Sequence, residues 1–118
     1  MTLNELRDEA HRIAREKGWW EEERTFGDMV ALGHSEWSEA LEEYRNHHEP
    51  TEVYYGPVPF PFPFGKPNKP LGIPIELADV LIRVFDMAGF YGIDLDEAVR
   101  LKTEYNKTRP YRHGGKVM

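Results

Sequence analysis

The stretch PIELADVLIRVF, residues 74–85, is the most informative about the fold of this 118-residue chain. Its proline suits the first turn of a helix, and the apolar residues after it lie on nearly every side of that helix. The segment therefore predicts a central helix from Pro74 to Gly89 or Gly92. Glu76 and Asp79 interrupt the apolar sequence, and their spacing of three residues places both carboxylates on one helix face.

Three further helices are predicted around the central one. The first runs from a capping signal at Thr2 to about Gly18, the second spans residues 25–46, and the last spans residues 94–108. No segment has a convincing strand pattern. The prediction is an all-α, four-helix bundle forming a single domain over residues 1–118.

The segment between the second and third helices has an unusual composition. Residues 47–72 hold seven of the nine prolines, including the Pro/Phe alternation of residues 59–64. Proline at this density excludes a helix and favours polyproline-type extension. The loop, residues 48–73, is interpreted as a packed crossover, with a partner-docking arm or an active-site lid as the alternatives.

Composition excludes several classes of function. With 15 Lys and Arg against 21 Asp and Glu, the net charge is -6, which argues against binding a nucleic acid polymer. The absence of cysteine excludes disulfides and cysteine-based zinc sites. No apolar run approaches the roughly 20 residues of a membrane span, and the polar start is unlike a signal peptide. We expect a cytoplasmic protein.

A second acidic pair, Glu36 and Glu39, has the same spacing on the second helix, with Glu43 on the same stripe. If the second and third helices pack antiparallel, the carboxylates of both pairs converge. Oxygen ligands without cysteine suit Mg²⁺ or Mn²⁺, which accept phosphate oxygens as further ligands. The alternative is a solvated acidic face. A di-iron centre is disfavoured, because no glutamate has a histidine three residues later.

The last helix carries a polar, cationic stripe. Lys102, Asn106 and Arg109 recur at helical spacing, with Lys107 beside them and Arg112 beyond. Such groups would neutralise a metal-bound polyphosphate, although basic residues near a helix C-terminus also simply offset the helix dipole. Base recognition is not assigned: Trp19, Trp20 or a phenylalanine of the Pro/Phe segment either stacks on a base or belongs to the core.

These motifs resemble the MazG-like all-α nucleoside triphosphate pyrophosphohydrolases, a superfamily that includes dimeric dUTPases and phosphoribosyl-ATP pyrophosphohydrolase. The resemblance covers nearly the whole chain, and the Pro/Phe segment departs from it by exceeding the usual connection in length. The strongest parts of the resemblance are the segments EWSEA at 36–40, ELADVL at 76–81 and NKTRPYRHG at 106–114. The segment YGIDL at 91–95, after the third helix, is also typical of the family.

The resemblance implies Mg²⁺-dependent hydrolysis of a nucleoside triphosphate between its α and β phosphates, giving the monophosphate and pyrophosphate. It also implies a homodimer or a higher homo-oligomer. Among the matching positions, Glu39 is the preferred general base. The metal ligands that the resemblance implies are Glu36, Glu39, Glu76 and Asp79. The phosphate-binding residues that it implies are Lys102, Asn106, Lys107 and Arg109.

Two alternatives stay open from the sequence. The same superfamily admits phosphoribosyl-ATP as the substrate. A non-enzymatic scaffold, in which the helices oligomerise and the Pro/Phe segment docks a partner, would leave the acidic stripes as solvated surface.

Overall fold

The computed structural model describes residues 1–56 and 68–112, and over those residues the chain is all-α apart from one small hairpin. The helices are α1 (Leu3–Glu16), α2 (Phe26–Arg45), α3 (Ile73–Tyr91) and α4 (Leu95–Thr108), and the strands are β1 (Tyr54–Gly56) and β2 (Lys69–Leu71). The predicted fold class is confirmed, and each helix boundary lies within two residues of its expected position. None of the described helices is long and apolar enough to cross a membrane.

Capping residues explain where the first two helices begin. The Thr2 side chain accepts from the Glu5 amide while the Glu5 carboxylate accepts from the Thr2 amide, which completes the predicted capping box. Thr25 and Asp28 form the same reciprocal pair at the start of α2. Each pair satisfies two backbone donors that the helix itself leaves free.

The N-termini of α1 and α4 cap one another. Asp96 accepts from the amides of Leu3 and Asn4 at 3.0 and 3.3 Å, while the Asn4 side-chain oxygen accepts from the Leu95 amide at 2.9 Å. The Asn4 side-chain amide also donates to Asp94. Contacts of α4 with the rest of the chain are mainly with α1, so these caps fix its position.

Helix α3 is the centre of the fold, as its composition predicts, and packs against both α1 and α2. Buried Asp86 ties α1 to it: Asp86 Oδ1 lies 2.8 Å from His11 Nδ1 and accepts from Trp20 Nε1 at 2.9 Å. The Trp20 ring stacks on Phe90 with centroids 4.2 Å apart. The buried apolar side chains are Met29, Ala40, Ile73, Val80, Phe85 and Ala88.

The expectation of no strand is wrong. Antiparallel pairing sets Tyr54 opposite Leu71 and Gly56 opposite Lys69, so the crossover starts and ends in a two-stranded hairpin. Three-residue strands are too short to show a period of two in the sequence. The Pro/Phe alternation at 59–64 lies outside the described residues.

A polar contact fastens the hairpin to the end of α2. The Tyr54 hydroxyl donates to both oxygens of Glu43, at 3.0 and 2.8 Å, and the His48 ring stacks on Tyr54 with centroids 4.4 Å apart. This hydrogen bond to Glu43 raises the pKa of Tyr54 to about 12. Glu43 therefore supports the hairpin, which in turn leads into α3.

Close packing between α1 and α3 predicts that alanine destabilises the protein at Gly89 but not at Gly27 in α2. A Cβ at Gly89 would lie 2.6 Å from the His11 Cβ, whereas one at Gly27 in α2 would meet only Thr25 at 3.8 Å. We expect Gly89→Ala to destabilise the protein by about 1–3 kcal/mol despite the higher helix propensity of alanine. Gly27→Ala should be neutral or slightly stabilising. Denaturant unfolding measures both, and equal stability of the two variants would contradict the packing described.

Candidate metal centre

Helices α2 and α3 bring together three of the predicted carboxylates. One oxygen from each of Glu36, Glu76 and Asp79 lies within 4.8 Å of the others. Glu36 comes from the middle of α2, while Glu76 and Asp79 come from successive turns at the start of α3. Three acidic oxygens at this separation repel one another strongly unless positive charge or protons lie between them.

Glu39 joins these three, and the four are called here the carboxylate cluster. Its own side chain is more exposed than theirs, one turn along α2 from Glu36. It lies close enough to Glu36 and Glu76 to raise the pKa of both carboxyls. Three of the four predicted metal ligands therefore meet at one place, with Glu39 beside them. Glu43, which shares their stripe in sequence, instead accepts from Tyr54.

Burial and mutual repulsion make the cluster a poor place for negative charge. Burial, followed by the hydrogen bond to Glu39, raises the pKa of Glu36 and raises that of Glu76 to about 7. Burial also raises the pKa of Asp79, although Arg83 and Lys69 oppose that rise. Without a cation, protons bound by these carboxyls would reduce their mutual repulsion.

Arg83 donates to the cluster from one turn beyond Asp79. Its Nε and Nη2 lie 3.3 and 3.2 Å from the same oxygen, Glu36 Oε1. The sequence places Arg83 on the same face of α3 as Glu76 and Asp79, so the signal for this contact was present. Lys69 has no such signal, because only the pairing of β1 with β2 brings its charge near Asp79.

The predicted phosphate-binding residues of α4 do not lie at the cluster within one chain. Their helix packs mainly on α1, while the carboxylates lie between α2 and α3. Lys107 pairs with Glu104 at 3.1 Å, and both Lys102 and Arg109 lie over the Tyr105 ring. Asn106 is on the same exposed helix.

A cavity of about 260 Å³ opens beside the cluster, between α1 and α3. Glu36, Asp79 and Arg83 line one side of it, and Asp86 lines another. The remaining wall is mainly apolar and consists of Ala10, Ile13, Ala14, Trp19 and Ile82. Trp20, predicted as either a stacking or a core residue, belongs to the packing contact with Phe90.

The cluster fits a divalent cation with a preference for oxygen ligands. Glu76 Oε2 is buried and has no hydrogen-bond partner among the described residues, as expected of an atom arranged for a ligand. All the donors are carboxylate oxygens, which Mg²⁺ and Mn²⁺ prefer. A cation bound between them would offset the repulsion that raises the pKa of Glu76.

Comparison with known proteins gives one partial relative. The chain is similar to a dATP/dGTP diphosphohydrolase of Cyanophage S-2L, with 45% identity over 38 residues, or 32% of this chain. The match spans only 36% of the relative's length. No protein-family model matches the chain, and no solved structure matches it. The partial match agrees with the resemblance drawn from the acidic motifs.

The raised pKa of Glu76 predicts how the metal-free protein responds to pH. Because this pKa lies near 7 in the fold against an ordinary 4.5, its contribution to stability is complete below pH 4.5 and lost as the pH rises through 7. Glu76→Gln should therefore raise the melting temperature in chelator by several degrees at pH 8 but not at pH 4.5. Glu42→Gln, on an exposed part of α2, is the matched control.

Thermal unfolding across that pH range, with and without Mg²⁺, provides the measurement. Mg²⁺ should stabilise the parent more than Glu76→Gln, because the variant loses an anionic ligand. A pH profile that is the same for the parent and Glu76→Gln would contradict the electrostatics described.

Proposed function

We propose that this protein is a nucleoside triphosphate pyrophosphohydrolase that uses Mg²⁺, with Mn²⁺ as a substitute, and releases a nucleoside monophosphate and pyrophosphate. The observation that carries the proposal is the convergence of Glu36, Glu76 and Asp79 from two helices beside a cavity. The resemblance of the acidic motifs and the similarity to a dATP/dGTP diphosphohydrolase both support a nucleotide substrate.

Glu36, Glu76 and Asp79 are the residues that would hold the cation, with Glu39 as a further ligand or as the base. The bound cation would supply positive charge that polarises phosphoryl oxygens and lowers the pKa of the attacking water. The triphosphate would bind beside these carboxylates, because its oxygens would be the remaining ligands of the cation.

Glu39 is the proposed general base. It lies beside Glu36 and Glu76 and raises the pKa of both, yet it is more exposed than they are, so it can take a proton from water and return it to solvent. The water oxygen bonds to the α-phosphorus while the bond from that phosphorus to the bridging oxygen breaks. Pyrophosphate leaves with the bridging oxygen, and the monophosphate keeps the oxygen from water.

The cavity beside the cluster is the proposed position for part of the nucleoside. At about 260 Å³ it lies just below the roughly 300–1,000 Å³ of pockets that enclose whole ligands. Its apolar wall suits a base or a sugar, and its acidic side suits the cation that carries the phosphates. The triphosphate would therefore lie at the cluster, outside the apolar part of the cavity.

A homodimer would complete the site. Lys102, Asn106, Lys107 and Arg109 are the proposed phosphate-binding residues, but their helix packs mainly on α1 of its own chain. A second copy could present the same residues to the cluster, where they would neutralise the triphosphate.

The face of α2 and α3 that a second copy would cover is apolar and exposed over the described residues. Val30 and Trp37 from α2 and Val84 from α3 line one groove, and their exposed fractions are 40%, 57% and 45%. Leu41 and Leu81 are more than half exposed. Several exposed apolar side chains on neighbouring helices are typical of a face that becomes buried on association.

The proposed reaction predicts which carboxylates matter for turnover. Glu39→Ala and Asp79→Ala should each lower turnover by at least about a hundredfold, since they remove the base and a ligand. Glu42→Ala is the matched control, because Glu42 lies on the same helix and is exposed, 3.9 Å from Arg45. It should leave the rate unchanged.

The assay is pyrophosphate release from a mixed pool of ribonucleoside and deoxyribonucleoside triphosphates, with Mg²⁺ or with a chelator. Circular dichroism and melting temperature show that each variant is folded. Orthophosphate in place of pyrophosphate would contradict the proposed position of cleavage. Turnover in Glu39→Ala and Asp79→Ala equal to that of Glu42→Ala would contradict the site.

A further inference from the structure

Arg83 is held by the carboxylate cluster in a way that leaves much of its binding capacity unused. Two of its donors, Nε and Nη2, go to one oxygen, Glu36 Oε1, at 3.3 and 3.2 Å. A well-formed arginine fork instead engages two oxygens at about 2.7–2.9 Å. The contact with Glu36 is therefore long and one-sided, so exchanging it for a better partner costs little.

The position of Arg83 connects the cluster to the cavity. It lies one turn beyond Asp79 on α3, its side chain is 28% exposed, and it lines the cavity together with Glu36 and Asp79. Among the described residues, no other cationic side chain donates a hydrogen bond to the four carboxylates.

We propose that Arg83 is the internal counter-ion of the metal-free cluster and that it transfers from Glu36 to the phosphates of the nucleotide when a divalent cation binds. This inference rests on the proposed function. It assigns a phosphate-binding role to a residue that the acidic motifs and the α4 stripe do not include.

Arg83 and a divalent cation would compete for Glu36. A divalent cation at the cluster would take Glu36, the partner of Arg83, as a ligand, and the two positive charges would repel one another at this distance. Once released, the planar guanidinium faces the region where the triphosphate oxygens enter, and it matches their geometry better than an ammonium would. The charge of Arg83 thus weakens binding of the cation alone and strengthens binding of the cation together with a polyphosphate.

The competition predicts opposite changes in two affinities for Arg83→Gln. Without nucleotide, Mn²⁺ should bind several-fold more tightly than to the parent, because a competing charge is removed. With Mn²⁺ present, inorganic triphosphate should bind at least about tenfold more weakly, which is the effect of losing a charged hydrogen bond. Arg83→Lys keeps the charge and loses the fork, so it should change the Mn²⁺ affinity less than Arg83→Gln does.

The experiment measures free Mn²⁺ by electron paramagnetic resonance and triphosphate binding by calorimetry. Arg100→Gln is the matched control, because Arg100 pairs with Glu97 on the exposed surface of α4 and should change neither affinity. The melting temperature of each variant in chelator verifies folding. If Arg83→Gln does not fold, Arg83→Lys decides the question through its weaker triphosphate binding.

Two results would overturn the inference. Mn²⁺ binding that weakens in Arg83→Gln would mean that the arginine organises the carboxylates for the cation, and an unchanged triphosphate affinity would mean that it never contacts phosphate. If the parent hydrolyses nucleotides with Mg²⁺ while either result is found, only the arginine inference fails. If the parent neither binds Mn²⁺ nor releases pyrophosphate, the proposed function fails and the role of Arg83 fails with it.

Discussion

Repulsion among the carboxylates between α2 and α3 opposes the packing that brings these two helices together. The backbone and apolar packing of the two helices hold Glu36, Glu76 and Asp79 together, and burial raises the pKa of each. A fold that only needed stability would be better served by apolar residues at these positions, since burying like charges costs free energy. The arrangement suits the divalent cation that we propose these carboxylates bind. Local destabilisation of the metal-free protein is the expected consequence of building such a site.

The remaining elements hold this arrangement in place. Contacts with α1 fix α3, through the close approach at Gly89 and the buried Asp86 that binds His11 and Trp20. At the other end, Tyr54 fastens the hairpin to Glu43 of α2. The hairpin then leads directly into α3, so its position determines where Glu76 begins the acidic face. The start of α3 is thereby fixed on two sides, which a site with closely spaced ligands requires.

The sequence predicts the helices and the acidic face well because both depend on local spacing. Capping residues and apolar periodicity set the helix boundaries. The three-residue spacing within each acidic pair places both carboxylates on one helix face, however the helices pack. The hairpin and the place of Lys69 were missed, because they depend on pairing between segments far apart in the chain. The assignment of α4 to the phosphates also goes beyond what one chain brings together, because the reciprocal caps with α1 place that helix mainly against α1. A second copy is the physical means by which the prediction can still hold.

The most direct test is to locate the cation itself. Crystals grown with Mn²⁺ and examined at an X-ray energy that gives anomalous scattering from manganese would show its position without any assumption about the substrate. We expect an anomalous peak at bonding distance from oxygens of Glu36, Glu76 and Asp79. A peak elsewhere, or none at saturating Mn²⁺ with these carboxylates still in contact with one another, would contradict it.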